Sequence, residues 1–280
     1  MSNSQSQHWY DAHGNAVHTQ ITKSGPNEGK ERNTTLADAK KQGLFASVSA
    51  KTGVLDAPGL NRYIQEEIMK AAFSRPPIGG EDFKTWKEFI TKEAQKEMDF
   101  SKAFGTEVHK GLEQYYGEPL LPREPYPMTL RDGSVHDRWE FMEPAINKIS
   151  ELGLVIQDSE KIAVNHAYGY AGTTDLTFTT ADSYGIIDFK TTKTKPGVKI
   201  KGYPDKAMQI AAYLAAIWGK DFDYPIGPKA KGHNIYISTT EVGRIELVSY
   251  DSKELSQAWE AYKHCLGLWR YVNDRENETG

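Results

Sequence analysis

The sequence predicts an α/β fold, a mixed central sheet flanked by helices. The hydrophobic period changes from helical to strand-like near residue 154, and helical patterning returns between and after the later strands. With 280 residues, 38% of them hydrophobic, the chain is long enough for one large domain or two small ones.

Residues 1 to about 34 are rich in Gly, Asn, Gln, Ser and His and poor in aliphatics, the composition of an arm with little surface to bury. Partial order is expected there. Trp9-Tyr10 and Val17-His18 flank Asp11-Ala12-His13-Gly14-Asn15 and suggest a small hairpin. Thr35 to Gln42 reads as a short capped helix closed by Gly43. Pro58 opens a longer helix with Leu60, Ile64, Ile68 and Ala71 or Ala72 at helical spacing, stopped by Pro76-Pro77. We therefore divide the chain into an N-terminal arm, 1–57, and a single domain, 58–280.

From Glu81 to Tyr116 the pattern is helical with one expected break; Phe104, Val108, Leu112 and Tyr115 form its stripe, and Gly117, Pro119 and Pro122 end it. A second amphipathic helix is expected from about Val135 to Leu152, with Gly153 as its stop. Leu154 to Val164, Tyr170 to Thr179 and Gly185 to Thr191 read as successive strands. Asp205 to Trp218 is helical. His233 to Ser238 and Arg244 to Val248 are strands, and Leu255, Trp259, Tyr262, Leu266 and Trp269 mark the closing helix, 251–273.

The net charge of −4 argues against a protein covered in positive charge. It leaves room for a local basic groove, because counterion release depends on the charges that touch phosphate. One cysteine, Cys265, forms no internal disulfide and supplies no cysteine-ligated zinc or iron–sulfur cluster; on the last helix it reads as a small core hydrophobe. No run of about 18 apolar residues exists, so no transmembrane helix is expected. The opening MSNSQSQHWY lacks the pattern of a signal peptide, and the expected location is cytoplasmic. The sequence has no G-x-S-x-G, no G-x-x-x-x-G-K-[ST] and no G-x-G-x-x-G after a strand.

The most informative stretch runs from Gly172 to Thr191. A tight turn centred on Ala181-Asp182 pairs residues whose numbers sum to 363, which sets Asp175 opposite Asp188. Thr173, Asp175 and Thr177 then share a face with Ile186, Asp188 and Lys190, while Leu176, Phe178, Ile187 and Phe189 project to the other, apolar face. Opposed β-carbons lie about 4.5 to 5.5 Å apart, and two like charges so placed destabilise the pair. A cation resolves the conflict, and hard oxygen donors suit Mg²⁺ or Mn²⁺. Lys190 beside that ion could orient or help deprotonate an attacking water. The same tripeptide also serves as a solvated cross-strand salt bridge, and a bulge would shift the register.

Three further features bear on the choice. Gly105-Thr106-Glu107-Val108-His109 puts a histidine beside the apolar stripe of the preceding helix, a position that also suits a packed, satisfied imidazole. Gln209 and Tyr213 stand at i and i+4 on one helix face, which ordinary packing also explains. Lys190, Lys193, Lys195, Lys199, Lys201 and Lys206 gather in the connection leaving the hairpin, with Tyr203 among them; such a loop is either solvated or holds a polyanion.

In this order G-T-x-x-H, G-x-x-D, I-I-D-F-K-T and Q-x-x-x-Y resemble the PD-(D/E)XK nuclease superfamily over about Phe104 to Trp218. The likeness is strongest to its RecB-type exonuclease branch, which includes the mitochondrial genome maintenance exonuclease and many phage-encoded nucleases. The resemblance implies a restriction-endonuclease-like core with an N-terminal helical extension: a helical roof over 58–152, a catalytic core over 100–250 and the C-terminal helix. It implies a metal-dependent deoxyribonuclease, an exonuclease acting on DNA. Asp175 and Asp188 would be metal ligands, with His109 and the backbone carbonyl of Phe189 as further ligands. Lys190 would be the catalytic lysine, and Gln209 and Tyr213 would orient the site or a phosphate. Lys193 and Lys195 are expected to contact DNA. The second acidic position is Asp188 rather than Glu, which this branch accepts. The iron–sulfur cluster of some relatives is absent. The alternative is a non-catalytic nucleic-acid-binding or interaction protein that keeps the fold.

Overall fold

Apolar residues at strand period from residue 155 onward build a sheet, and apolar residues at helical period before and after it cover both faces. The structure, a computed structural model, describes residues 8–55, 57–117, 124–219 and 226–274. Its first part runs β1 (Trp9–Tyr10), β2 (Thr19–Ile21), β3 (Glu31–Asn33), α1 (Leu36–Gln42), β4 (Phe45–Ser47), α2 (Val48–Thr52), α3 (Pro58–Ser74) and α4 (Phe83–Gly117). Then come β5 (Pro127–Thr129), β6 (Val135–Asp137), α5 (Trp139–Glu151), β7 (Val155–Asn165), β8 (Tyr170–Thr179) and β9 (Tyr184–Thr192). The chain closes with α6 (Pro204–Ile217), β10 (Ala230–Ser238), β11 (Ile245–Tyr250) and α7 (Ser252–Asp274).

The main sheet has the order β1-β4-β8-β9-β10-β11, with β7 also on β8. It is mixed: β4 pairs β8 and β10 pairs β9 in parallel, and the other neighbours are antiparallel. On one face Leu176, Phe178, Ile187, Phe189, Ile235 and Ile237 pack against Phe104, Val108 and Leu112 of α4 and Phe141, Ala145 and Ile149 of α5. On the other, Tyr170, Ile186 and Tyr250 pack against Ile210, Tyr213 and Leu214 of α6 and Leu255, Trp259 and Tyr262 of α7. Cys265 is buried on α7.

The register of β8 on β9 is the one expected from the turn, with Leu176 on Ile187, Thr177 on Ile186 and Phe178 on Gly185, but the ladder stops there, and Asp175 and Asp188, expected to face each other across it, are not a paired position. The carrying face is not open to water, however. Thr177 and Ile186 are fully buried there, because α6 and α7 cover it; a central strand of a three-layer fold is enclosed on both sides.

Other expectations are corrected. The helix of 81–116 has no break, and α4 runs as one piece from Phe83 to Gly117. It contains no proline, and its Gly105 faces β9 so closely that a Cβ would lie 2.7 Å from Thr191 Oγ1. Pro119 and Pro122 lie outside the described residues. The helix expected from Val135 starts later, at Trp139, because Val135 to Asp137 pair with Pro127 to Thr129 as a hairpin. Asp137 then accepts from Trp139 N–H at 2.9 Å, and Glu140 accepts from Asp137 N–H at 2.8 Å.

Residues 8–34 are more tied down than their composition suggests. The expected small hairpin forms, with Val17 N–H donating to Trp9 C=O at 2.8 Å and Gly14 at φ 87°. Asp11 closes the turn by accepting from the N–H groups of His13 and Asn15. Its first strand, β1, joins the main sheet through β4. Trp9 is 2% exposed and meets Trp269 of α7 edge to face at 6.3 Å. Two aromatic anchors outweigh a polar average, since each brings a large area out of water.

Candidate active site

The site is built where the sheet splits. β7 pairs with β8 along nearly its whole length, so β4 and β9 share the other edge of β8. There β4 reaches only Tyr170 and Ala171, and β9 only Leu176 to Thr179. Residues 172–175 lie between, at a fork. Past the fork β9 continues along β10, with Asp188 beside Asn234 and Lys190 beside Tyr236.

A strand that leaves its neighbour exposes backbone donors, which must find partners. Here Asp175 supplies one: its Oδ2 accepts from the Phe189 N–H at 2.6 Å. Its Oδ1 faces His109 Nδ1 of α4 at 3.6 Å. On Asp188, Oδ1 accepts from Lys190 Nζ at 2.7 Å and Oδ2 from Asn234 Nδ2 at 2.7 Å. Asp188 is 3% exposed. Four sequence-expected residues, Asp175, Asp188, Lys190 and His109, thus converge on one fork.

The electrostatics follow from burial and these contacts. Burial raises both carboxyls, but His109, Lys190 and the Phe189 N–H bring Asp175 below its usual range. Asp188 stays above its usual range, since burial and the Asp175 charge outweigh Lys190. The lysine is an ammonium: burial disfavours its charge, but Asp188 and Asp175 raise its pKa above the ordinary value. Burial likewise opposes charge on His109, and Asp175 reverses the balance and raises it.

Gln209 Nε2 donates to Tyr213 OH at 3.4 Å across one turn of α6. Tyr213 is 5% exposed, and its ring lies so near Gly172 that a Cβ there would sit 2.9 Å from Tyr213 Cε1. Gly172, the first residue of the fork, is therefore what lets this tyrosine approach. The lysines of the following connection divide. Lys193 lies 3.6 Å from Glu67 of α3, with its ammonium 4.7 Å from the Tyr63 ring centre; Lys195 is exposed. A cleft of about 620 Å³ opens beside the fork, walled by Lys102, His109, Lys110, Glu160, Asp175 and Thr191 among others.

Sequence reasoning missed three participants. Asn234, fully buried, holds Asp188; a lone Asn inside an apolar strand signals a buried partner without saying which. Tyr250 holds that Asn, its OH donating to Asn234 Oδ1 at 2.9 Å. Glu160, at the cleft, is the one non-glycine residue with positive φ among the described residues, at 52°. It falls in the β7–β8 ladder between Ser159, which pairs Leu176, and Lys161, which pairs Thr174. Partial desolvation and the charges of Asp175 and Glu113 push its carboxyl up to about 7.

A divalent cation suits this donor set. Two carboxylates at the fork, an imidazole and backbone carbonyls are hard or borderline ligands, and each carboxylate oxygen keeps a lone pair beyond its present hydrogen bond. No three His, Cys, Asp or Glu side chains among the described residues gather tightly enough to hold an ion alone, so carbonyl and water oxygens would complete the shell.

A family model for the PD-(D/E)XK nuclease superfamily matches residues 85–277. The chain belongs to that superfamily. The match spans α4 through α7, and thus every residue of the fork. Superfamily membership makes it a nuclease, a hydrolase of phosphodiester bonds whose substrate is a nucleic acid; PD-(D/E)XK nucleases generally use divalent metals. Among solved structures, a candidate exonuclease from Eubacterium rectale is 14% identical with a TM-score of 0.38, over 62% of this chain and 68% of that one. The protein SSO0001 is 11% identical with a TM-score of 0.26, over 74% of this chain and 86% of that one. No curated protein matches the chain. No helix among the described residues is long and apolar enough to cross a membrane.

Proposed function

We propose that this PD-(D/E)XK nuclease is a deoxyribonuclease of the RecB-type branch, an exonuclease that uses Mg²⁺ or Mn²⁺ and acts in the cytoplasm. The observation that carries the reading is the fork itself: Asp175, Asp188, Lys190 and His109 meet where β8 and β9 part. We read residues 58–280 as the nuclease unit.

Asp175, Asp188, His109 and the Phe189 carbonyl would hold the ion, which neutralises phosphate charge and makes an attacking water more acidic. Lys190, held as an ammonium by Asp188, is suited to stabilise negative charge growing on the phosphate. Asp175 does double duty, since its second oxygen also fixes the Phe189 backbone. Gln209 and Tyr213 project from α6 toward the fork and would orient that site or a neighbouring phosphate. Lys193 and Lys195 would contact the DNA backbone beyond it.

The test uses linear and circular DNA, single- and double-stranded, labelled at either end, with Mg²⁺ or Mn²⁺. Linear substrates should be degraded from an end and circles spared. Asp188→Ala and Lys190→Ala should each lower the rate at least about 100-fold with circular dichroism unchanged. Retained activity in both variants overturns the assignment of the site; degradation of circles overturns the exonuclease.

A further inference from the structure

We infer that Asn234 and Tyr250 are positioning residues of the metal site, a relay that fixes the rotation of the Asp188 carboxylate. The inference rests on the reading of Asp188 as a metal ligand and extends it to two residues on β10 and β11.

β10 runs parallel to β9 with Asn234 beside Asp188, so the two side chains leave neighbouring strands on the same face. Asn234 is 0% and Asp188 3% exposed. One hydrogen bond fixes one oxygen of a carboxylate, and a second on the other oxygen sets its plane. Lys190 holds Oδ1 at 2.7 Å and Asn234 Nδ2 holds Oδ2 at 2.7 Å.

An amide alone does not settle the matter, because turning it over would set its oxygen against the carboxylate. The carboxylate makes that choice, since it only accepts and so takes Nδ2. Tyr250 holds the other end: its hydroxyl donates to Asn234 Oδ1 at 2.9 Å, which ties the amide in that orientation. Tyr250 is itself 9% exposed, anchored among the residues under α6 and α7. The chain of donors thus runs in one direction, from a fixed tyrosine through a fixed amide to the carboxylate. Neutral groups suit the task. Lys190 already brings one positive charge to Asp188; a second cation at position 234 would compete further with a metal, whereas an amide orients the carboxylate and leaves its charge in place. Outer partners of this kind typically account for about 10- to 100-fold in metal affinity.

The test is equilibrium Mn²⁺ binding to the full chain without nucleic acid, followed by electron paramagnetic resonance of the free ion. Wild type should bind. Asn234→Leu, which keeps the volume and removes the donor, should weaken binding about 10- to 100-fold. Tyr250→Phe should weaken it by a smaller factor although it touches no ligand, because the amide is then free to turn. The double variant should bind no more weakly than Asn234→Leu alone, since the tyrosine acts only through the amide. If Asn234→Leu fails to fold, Asn234→Ser and Tyr250→Phe carry the same comparison. Variants that bind Mn²⁺ as wild type does, or effects that multiply in the double variant, overturn the relay and leave the metal reading standing. A wild type that binds no Mn²⁺ overturns both.

Discussion

At the scale of single residues, burial decides what each polar group can be. Asp188 and His233 are both buried on central strands, yet they are handled in opposite ways. Asp188 keeps two hydrogen-bonding side chains, Lys190 and Asn234, and a site. His233 has one, Ser249 Oγ at 2.9 Å, and otherwise faces Phe178 at 5.4 Å between ring centres. Burial, aided by Lys231, pulls its imidazole down to about 4. The unfolded chain binds a proton at this position near the ordinary value of 6.5, and the folded chain does not. The contribution of neutral His233 to stability is therefore complete above about pH 6.5 and declines as pH falls toward 4, by about 3 kcal/mol in all. Denaturant unfolding between pH 7 and pH 4 should show wild type losing about that much more than His233→Gln. Parallel pH dependences would refute the assignment.

At the scale of elements, the connection leaving the fork and helix α3 face each other. Glu67 of α3 is 4% exposed and pairs with Lys70 at 2.9 Å and Lys193 at 3.6 Å. A lysine proposed to meet DNA is thus already engaged by a carboxylate. On that proposal phosphate replaces Glu67 around Lys193, and two substitutions should have opposite signs. Lys193→Ala with Lys195→Ala should weaken DNA binding and reduce the slope of log affinity against log salt by about 1 to 2. Glu67→Gln should tighten binding, because the competing charge is gone. Fluorescence anisotropy across a salt series reads both. An unchanged slope in the double variant counts against phosphate contact. The lysine cluster was visible in the sequence, but its partner was not, since Glu67 lies 126 positions before Lys193 in the chain and only packing brings α3 there.

At the scale of the whole molecule, the two ends of the chain stabilise one another. Trp9 packs with Ala39, Ala46 and Trp269, and Lys51 Nζ sits 3.2 Å from the Trp269 ring centre. The segment expected to be an arm therefore belongs to the packing of the closing helix. Trp9→Ala should cost about 3–5 kcal/mol by chemical denaturation; a loss under about 1 kcal/mol would mean that the segment is dispensable to the fold. Composition could not reveal this, because a window average dilutes two aromatic side chains among polar neighbours.

Local chemistry made much of this protein legible from the sequence by itself. The period switch near residue 154 located the three central strands to within a residue or so. The turn at Ala181-Asp182 set the register of β8 on β9, because side-chain alternation and a short loop leave few alternatives. That register runs out at Leu176 and Ile187, just short of Asp175 and Asp188, so it brings the two carboxylates near each other without pairing them. Tertiary structure alone decided the rest. It parted the strands beyond Leu176, closed the second face with α6 and α7, ran α4 without a break, and set Asn234, Tyr250 and Glu67 against residues far away in the chain. Those outcomes depend on which segments compete for the same strand edge and the same buried volume. Nearest-neighbour patterns carry no information about that competition; it is settled only when all the elements pack at once.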